Sequence, residues 1–256
     1  MCLVGLRLRT HPGHALVLAA NRDEFHARPA AAAAFWDDAP HVLAGRDLEA
    51  GGTWLGVTRR GRWATVTNFR HPDERRAGTP SRGNLVRDFL VGETAPSEFA
   101  ERVLSEASRY NALNLLVGEG DEVFYVSSRE SHARRLAPGD YGLSNHALDT
   151  PWPKVRRLKE GLAGLGPGEP SADALLALLA DRTGAPDHEL PDTGVGVELE
   201  RVLAPAFLEG PVYGTRASSV LVLSDDGRIT FVERGFGPFG AELETRRFEL
   251  RREIPA

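Results

Sequence analysis

The chain has one cysteine in 256 residues, Cys2, so no disulfide can close within it and an oxidising compartment leaves no mark. It also lacks a basic excess. A formal charge of −5 argues against nucleic acid as a main partner, because no surplus cations are there to neutralise phosphates. Long apolar runs are missing too: the stretch from Ala15 to Ala20 falls far short of the roughly 20 residues that cross a bilayer, so no membrane span is expected. Arg7 and Arg9 follow the first few residues at once, which does not fit a secretory signal, and the cytoplasm is the expected location. There is no repeat, no distinct linker, no phosphate loop and no GxGxxG behind a strand. Nothing in the pattern speaks to oligomeric state.

Hydrophobic residues make up 41 % and charged residues 26 %, the balance of a soluble globular protein. The length suits one large domain over residues 1–256. Strand signals dominate the start. Cys2 to Leu8 alternates, His11-Pro12-Gly13-His14 reads as a turn, and Ala15 to Ala20 follows as the return strand. A second hairpin is expected over Thr53–Thr58 and Arg62–Asn68, a third over Asn114–Gly118 and Glu122–Val126, and a late one over Ala217–Leu223 and Arg228–Glu233. Apolar spacings of three and four predict helices over 84–91, 97–108 and 171–179, with Ser171 as an N-cap. Val155, Leu158, Leu162 and Leu165 mark another, begun by Pro151-Trp152-Pro153. Ala30 to Phe35 reads as a loop or short packed segment, and Thr183 to Val197 as a long surface loop. Two antiparallel sheets with helices on their outer faces would bury all of these apolar faces, an α+β arrangement.

Cys2 carries the first candidate chemistry. Removal of Met1 would put an α-amine on the same residue as the thiol. With an ordinary pKa of about 7.7–8.0, that amine is a base fitted to neutral pH. A thiol and a base on one residue make a nucleophile that needs no separate histidine. Asn21-Arg22-Asp23-Glu24 ends the second strand of the hairpin, and so lies near Cys2. An arginine there is expected to lower the thiol pKa, and a carboxylate to orient the amine. Strand parity puts Glu24 on the Arg22 face, and a turn here would break that parity; both stay open, with Asp23 as the residue chosen. Asn68, Asn145 and Arg216 each sit beside turn residues and are unremarkable singly, although an asparagine amide can donate to a developing oxyanion.

Taken together, Cys2, Asn21-Arg22-Asp23-Glu24, Gly52-Thr53-Trp54-Leu55-Gly56, Thr67-Asn68-Phe69, Gly142-Leu143-Ser144-Asn145 and Gly214-Thr215-Arg216 resemble the NRDE family, also called the transport and Golgi organization 2 family. The likeness runs from Met1 to about Glu233. That family is in turn similar to the cysteine N-terminal-nucleophile amidases. The resemblance implies an αββα four-layer sandwich, with Cys2 as nucleophile, Arg22 beside it, Asn68 as the oxyanion donor, and Asn145 and Arg216 holding the substrate or the amine. The amidases place their Asp three residues after the Arg; here that position is Phe25, so Asp23 or Glu24 must serve.

The eight histidines show no zinc spacing, and one cysteine cannot build a thiolate cluster, so no metal is expected and no cofactor is required. The resemblance also brings haem into view as a carried ligand, for which His14, His146 or Cys2 would be axial candidates. Two readings follow. One is a hydrolase that cleaves a linear amide or thioester by acyl transfer through Cys2. The alternative is a carrier of haem or of an acylated, lipid-like ligand on the same fold.

Overall fold

The computed structural model describes residues 2–72 and 76–253. The expected removal of Met1 concerns a residue outside that range.

The expected first hairpin is β1 (Cys2–Leu8) and β2 (His14–Phe25). β2 outruns its apolar core and carries Asn21 to Phe25 as strand, not turn. β3 (Ala30–Trp36), β4 (Ala39–Asp47), β5 (Leu55–Thr58) and β6 (Trp63–Asn68) follow, then α1 (Gly83–Val91) and α2 (Pro96–Ser105). β7 (Leu113–Glu119), β8 (Glu122–Ser127), β9 (Arg134–Arg135) and β10 (Gly139–Leu143) precede α3 (Pro153–Ala163), α4 (Ala172–Leu179) and α5 (Val197–Leu203). The chain closes with β11 (Tyr213–Ser224), β12 (Arg228–Phe236) and β13 (Glu242–Arg251). Ser171 caps α4, accepting from the Ala174 amide at 3.4 Å.

Two departures from the sequence reading are informative. Ala30 to Trp36 is a strand, not a loop. Its pairing with β4 shifts register between Ala31 and Ala34, and the freed Ala33 amide donates across the sandwich to Glu233 at 2.8 Å. Alanine has little strand propensity of its own, so partner and opposing sheet decide the conformation. The segment expected as a loop up to Val197 runs directly into α5, a seven-residue helix too short to leave a clear period.

The strands form two wholly antiparallel sheets, ordered β10-β1-β2-β11-β12-β13 and β3-β4-β5-β6-β7-β8-β9. Alternation sorts their side chains. Val4, Leu6, Leu16 and Leu18 meet Leu43, Leu55, Trp63 and Leu116 between the sheets. Leu3, Val17, Ala19 and Val220 face outward against Val155, Leu158 and Leu162 of α3 and Leu175 and Leu179 of α4. On the other outer face Val42, Ala64, Leu115 and Val117 pack on Phe89 and Leu90 of α1 and Phe99 and Val103 of α2. The result is an αββα four-layer sandwich, as expected. At Gly5 a Cβ would stand 2.7 Å from Leu162 Cδ1, so α3 lies hard against β1 only because that position has no side chain.

Candidate active site

The β1–β2 ladder pairs Cys2 directly with Arg22. On the other side of β2, β11 pairs Thr215 with Asp23 and Ala217 with Arg22, so Arg216 is a bulge between them. Cys2, Arg22, Asp23, Glu24 and Asn68 all line one cleft of about 640 Å³. A second cleft, of about 670 Å³, shares Glu24, Arg28 and Asn68 and extends toward Phe69, Leu199 and Tyr213.

Arg22 is buried, with its guanidinium 4.2 Å from the Trp54 ring centroid and 3.9 Å from Asp47. The Trp54 ring fits because residue 45 is glycine: a Cβ there would lie 2.3 Å from the indole. Asp47 is also held by Arg28 at 2.8 Å. Asp23 is buried and accepts from the Thr215 hydroxyl at 2.7 Å, while the Tyr213 hydroxyl donates to the Asp23 carbonyl at 3.1 Å. Asp23 bears on the thiol electrostatically and through its backbone, whereas Glu24 turns to the Phe25 amide at 2.9 Å.

The Asn68 backbone carbonyl accepts from the Asn145 side-chain amide at 2.9 Å, which leaves the Asn68 side chain on the cleft wall. Among the described residues that side chain makes no hydrogen bond to protein. Asn145 itself is fully buried, and its carbonyl accepts from the Arg70 amide at 2.7 Å. Arg216 donates to the carbonyls of Phe25, His26 and Arg28 at 2.8, 3.2 and 3.1 Å, tying down the turn after β2. The structure therefore gathers Cys2, Arg22, Asp23 and Asn68 at one cleft. Asn145 and Arg216 are engaged with the backbone that frames it.

The expected fall in the Cys2 thiol pKa needs correction. Burial, foremost, pushes the thiol up, and the Asp23 charge adds to that; the Asp23 backbone amide and Arg22 pull the other way and are outweighed. Burial likewise raises the Asp23 carboxyl, against the opposing effects of Lys154, the Thr215 hydroxyl and Arg70.

Three charged residues at this end escaped the sequence reading. Lys154 is buried in the first turn of α3, donates to the Leu203 carbonyl at 2.9 Å, and is pushed down to about 8 by burial. Arg70 and Glu200 form a buried ion pair, with the Arg70 guanidinium 4.7 Å from the Trp152 ring centroid. A signal existed for Lys154: it stands four and eight residues before Leu158 and Leu162, on the helix's apolar stripe, and is one of only two lysines in the chain. Glu200 had none, because α5 itself was missed. Ser144 also contributes, donating to the Cys2 carbonyl at 3.0 Å.

Among the described residues no group of three His, Cys, Asp or Glu side chains is disposed to hold a metal. His14 lies at the far end of the β1–β2 hairpin, its Nδ1 against the Pro12 carbonyl at 2.7 Å. His146 packs between Phe69 and Trp152, with Nδ1 2.9 Å from the Thr150 hydroxyl. The three haem-ligand candidates are thus not gathered in one pocket. No helix among the described residues is long and apolar enough to cross a membrane.

Two stacked antiparallel sheets, helices on both outer faces, and a first strand that opens on a cysteine beside a cleft define the N-terminal-nucleophile hydrolase fold. A solved structure of the same class, the Caenorhabditis elegans N-acylethanolamine-hydrolyzing acid amidase ortholog, superposes with a TM-score of 0.52 at 11 % identity, covering 86 % of this chain and 92 % of that one. Residues 1–238 match the family model described as Transport and Golgi organisation 2, and the chain belongs to that family. The Transport and Golgi organization protein 2 homolog of Bos taurus is 36 % identical over 98 % of this chain and 100 % of its own length. The Drosophila melanogaster Transport and Golgi organization protein 2 is 30 % identical over 94 % and 95 %.

Proposed function

We propose that the protein is a thiol-dependent hydrolase that cleaves a linear amide or thioester by acyl transfer through Cys2, once Met1 has been removed. The observation that carries this reading is the convergence of Cys2, Arg22, Asp23 and Asn68 on one cleft. In the reaction, the Cys2 thiol gives its proton to its own α-amine as sulfur attacks the substrate carbonyl carbon. The negative oxygen that forms accepts from the Asn68 amide. Collapse breaks the bond to the leaving nitrogen or sulfur, which takes the proton back from the amine and leaves an acyl-Cys2 thioester. Water then attacks that thioester as the amine again accepts a proton; the acyl–sulfur bond breaks, the carboxylic acid leaves, and the proton returns from the amine to the Cys2 sulfur. Asp23 orients the amine, Arg22 favours the thiolate, and Asn145 and Arg216 hold the backbone on which Asn68 and the β2 end are built. No metal or cofactor enters these steps.

One feature favours a second reading: burial pushes the Cys2 thiol up, away from the thiolate. A carrier of haem or of an acylated, lipid-like ligand would use the same paired clefts with Cys2 chemically silent. The deciding experiment offers N-acyl amino acids, acyl amides and acyl thioesters to protein of verified N-terminus, with a haem titration alongside. An acyl group mapped to Cys2 supports the hydrolase. No acylation with any of them, together with saturable haem binding that survives Cys2→Ser, overturns it in favour of the carrier.

A further inference from the structure

The nucleophile and the oxyanion donor of that reading stand on different sheets: Cys2 opens β1 in one, and Asn68 closes β6 in the other. Neither sheet alone sets the distance between them. The loop after β10 reaches both. The Ser144 hydroxyl donates to the Cys2 carbonyl at 3.0 Å, the Asn145 side-chain amide donates to the Asn68 carbonyl at 2.9 Å, and the Asn145 carbonyl accepts from the Arg70 amide at 2.7 Å. A chain of hydrogen bonds holds this loop from the second sheet. Thr67 stands directly opposite Asn114 in the β6–β7 ladder. The Thr67 hydroxyl donates to the Ser144 carbonyl at 2.7 Å and accepts from the Asn114 amide at 3.2 Å. That amide also donates to the His146 carbonyl at 2.9 Å. The Asn114 oxygen accepts from the Tyr125 hydroxyl at 2.8 Å, and that hydroxyl accepts from the Leu148 amide at 3.2 Å.

Each step in this chain has a fixed direction, because it begins at a backbone N–H that can only donate and ends at backbone carbonyls that can only accept. Thr67, Asn114 and Tyr125 are each 0 % exposed, so water does not replace a bond that is lost. We propose that Thr67 is a positioning residue of the Cys2 site: through Ser144 it fixes the distance from the Cys2 thiol to the Asn68 amide, and Asn114 and Tyr125 fix Thr67 in turn. This rests on the hydrolase reading above. Loosening the loop displaces a donor that must meet an oxygen charged only after attack. The loss therefore shows in acyl transfer and not in the reactivity of the thiol as such.

Two reagents, p-nitrophenyl acetate and iodoacetamide, separate these effects on protein of verified N-terminus. With the ester, the Cys2 sulfur bonds to the carbonyl carbon and the thiol proton passes to the α-amine. The negative oxygen then collapses, the carbon–oxygen bond to the nitrophenyl group breaks, and p-nitrophenolate leaves acetyl-Cys2 behind. With iodoacetamide, sulfur displaces iodide at carbon and no oxyanion forms. The chain has one cysteine, so both products are read by mass on the Cys2 peptide. Thr67→Val is expected to slow acetylation about tenfold and leave alkylation unchanged, and Thr67→Ser to restore the wild-type ratio. Tyr125→Phe removes one hydroxyl at the other end of the chain of bonds, is expected to slow acetylation about threefold with the same selectivity, and decides where Thr67→Val does not fold. The proposal is overturned if acetylation and alkylation fall together, if neither falls, or if Thr67→Ser behaves as Thr67→Val. If the wild type gives no acetyl-Cys2, or Asn68→Ala acetylates as fast as the wild type, the hydrolase reading falls, and hydrogen exchange decides the linkage alone. Thr67→Val should then speed exchange of the Arg70 amide about tenfold while the Arg9 amide, bonded to the Ala15 carbonyl in the far turn, keeps its rate. An unmoved Arg70 amide overturns the role of Thr67.

Discussion

The two ends of the β1–β2 hairpin are built from the same pair of strands and handle charge in opposite ways. At the turn end, Arg9 pairs with Asp121 and Asp225, with the Arg9 side chain 37 % exposed and the carboxylates more so. At the open end, Arg22, Asp23, Arg70, Lys154 and Glu200 are all under 10 % exposed. Water pays for the first set: each ion is solvated whether or not it is paired, so the pairs contribute little. The second set is buried, so every charge depends on a neighbour, and desolvation displaces the proton affinity of Asp23, Arg70 and Lys154. Desolvation distinguishes the two ends.

The largest effect expected from breaking this contrast is chemical. Asn68→Ala is predicted to lower turnover by roughly 10²–10³ with ligand affinity nearly unchanged, because an oxyanion donor acts mainly in the transition state. Steady-state kinetics beside a binding titration checks it, and Cys2→Ser should abolish acyl-enzyme on the peptide map. Next comes stability. Glu200→Ala removes the buried carboxylate that accepts from both Arg70 and the Thr193 hydroxyl, and should cost about 3–5 kcal/mol in urea unfolding.

Smaller effects sharpen the comparison. Cys2 of the folded protein should react with iodoacetamide at a pH midpoint above that of the unfolded chain, because burial outweighs Arg22. A midpoint below the unfolded value would reverse that ranking. Glu233, buried between the sheets, has its carboxyl pushed up by burial against the Ala33 amide and Ser219 hydroxyl that it accepts from. An acid raised in the folded state binds more protons there than when unfolded, so stability falls as pH climbs from the unfolded to the folded value. Glu233→Gln should therefore gain stability relative to wild type at pH 7 and lose that advantage near pH 4, which paired melting curves would show. The smallest change belongs to the turn end: Asp225→Asn should alter stability by no more than about 0.5 kcal/mol, an effect that salt erases.

Legibility followed the same division. The hairpins could be read because apolar alternation and a glycine turn are local signals, and β1 with β2 is the clearest case. Cys2 could be singled out by its place after Met1, while Arg22 and Asn68, unremarkable singly, were picked out by the family resemblance. β3 could not be read as a strand, since a run of alanines pairs only when β4 and Glu233 of the opposite sheet are present. The sign of the Cys2 shift could not be read either. Proximity to Arg22 follows from the hairpin, but the burial that outweighs it does not.

By itself, then, the sequence determined the antiparallel hairpins and the nearness of the Asn21–Glu24 strand end to Cys2, because these depend on period and on neighbours close along the chain, while the four-layer class was implied by the family resemblance. Only the tertiary structure decided that Asp23 is buried against Thr215 while Glu24 turns to the Phe25 amide. It alone turned Asn145 and Arg216 toward backbone carbonyls and brought Lys154, Arg70 and Glu200 together from three distant segments. The physical reason is that proton affinity and side-chain engagement are set by burial and by contacts across long chain separations, and neither is a property of a residue and its immediate neighbours.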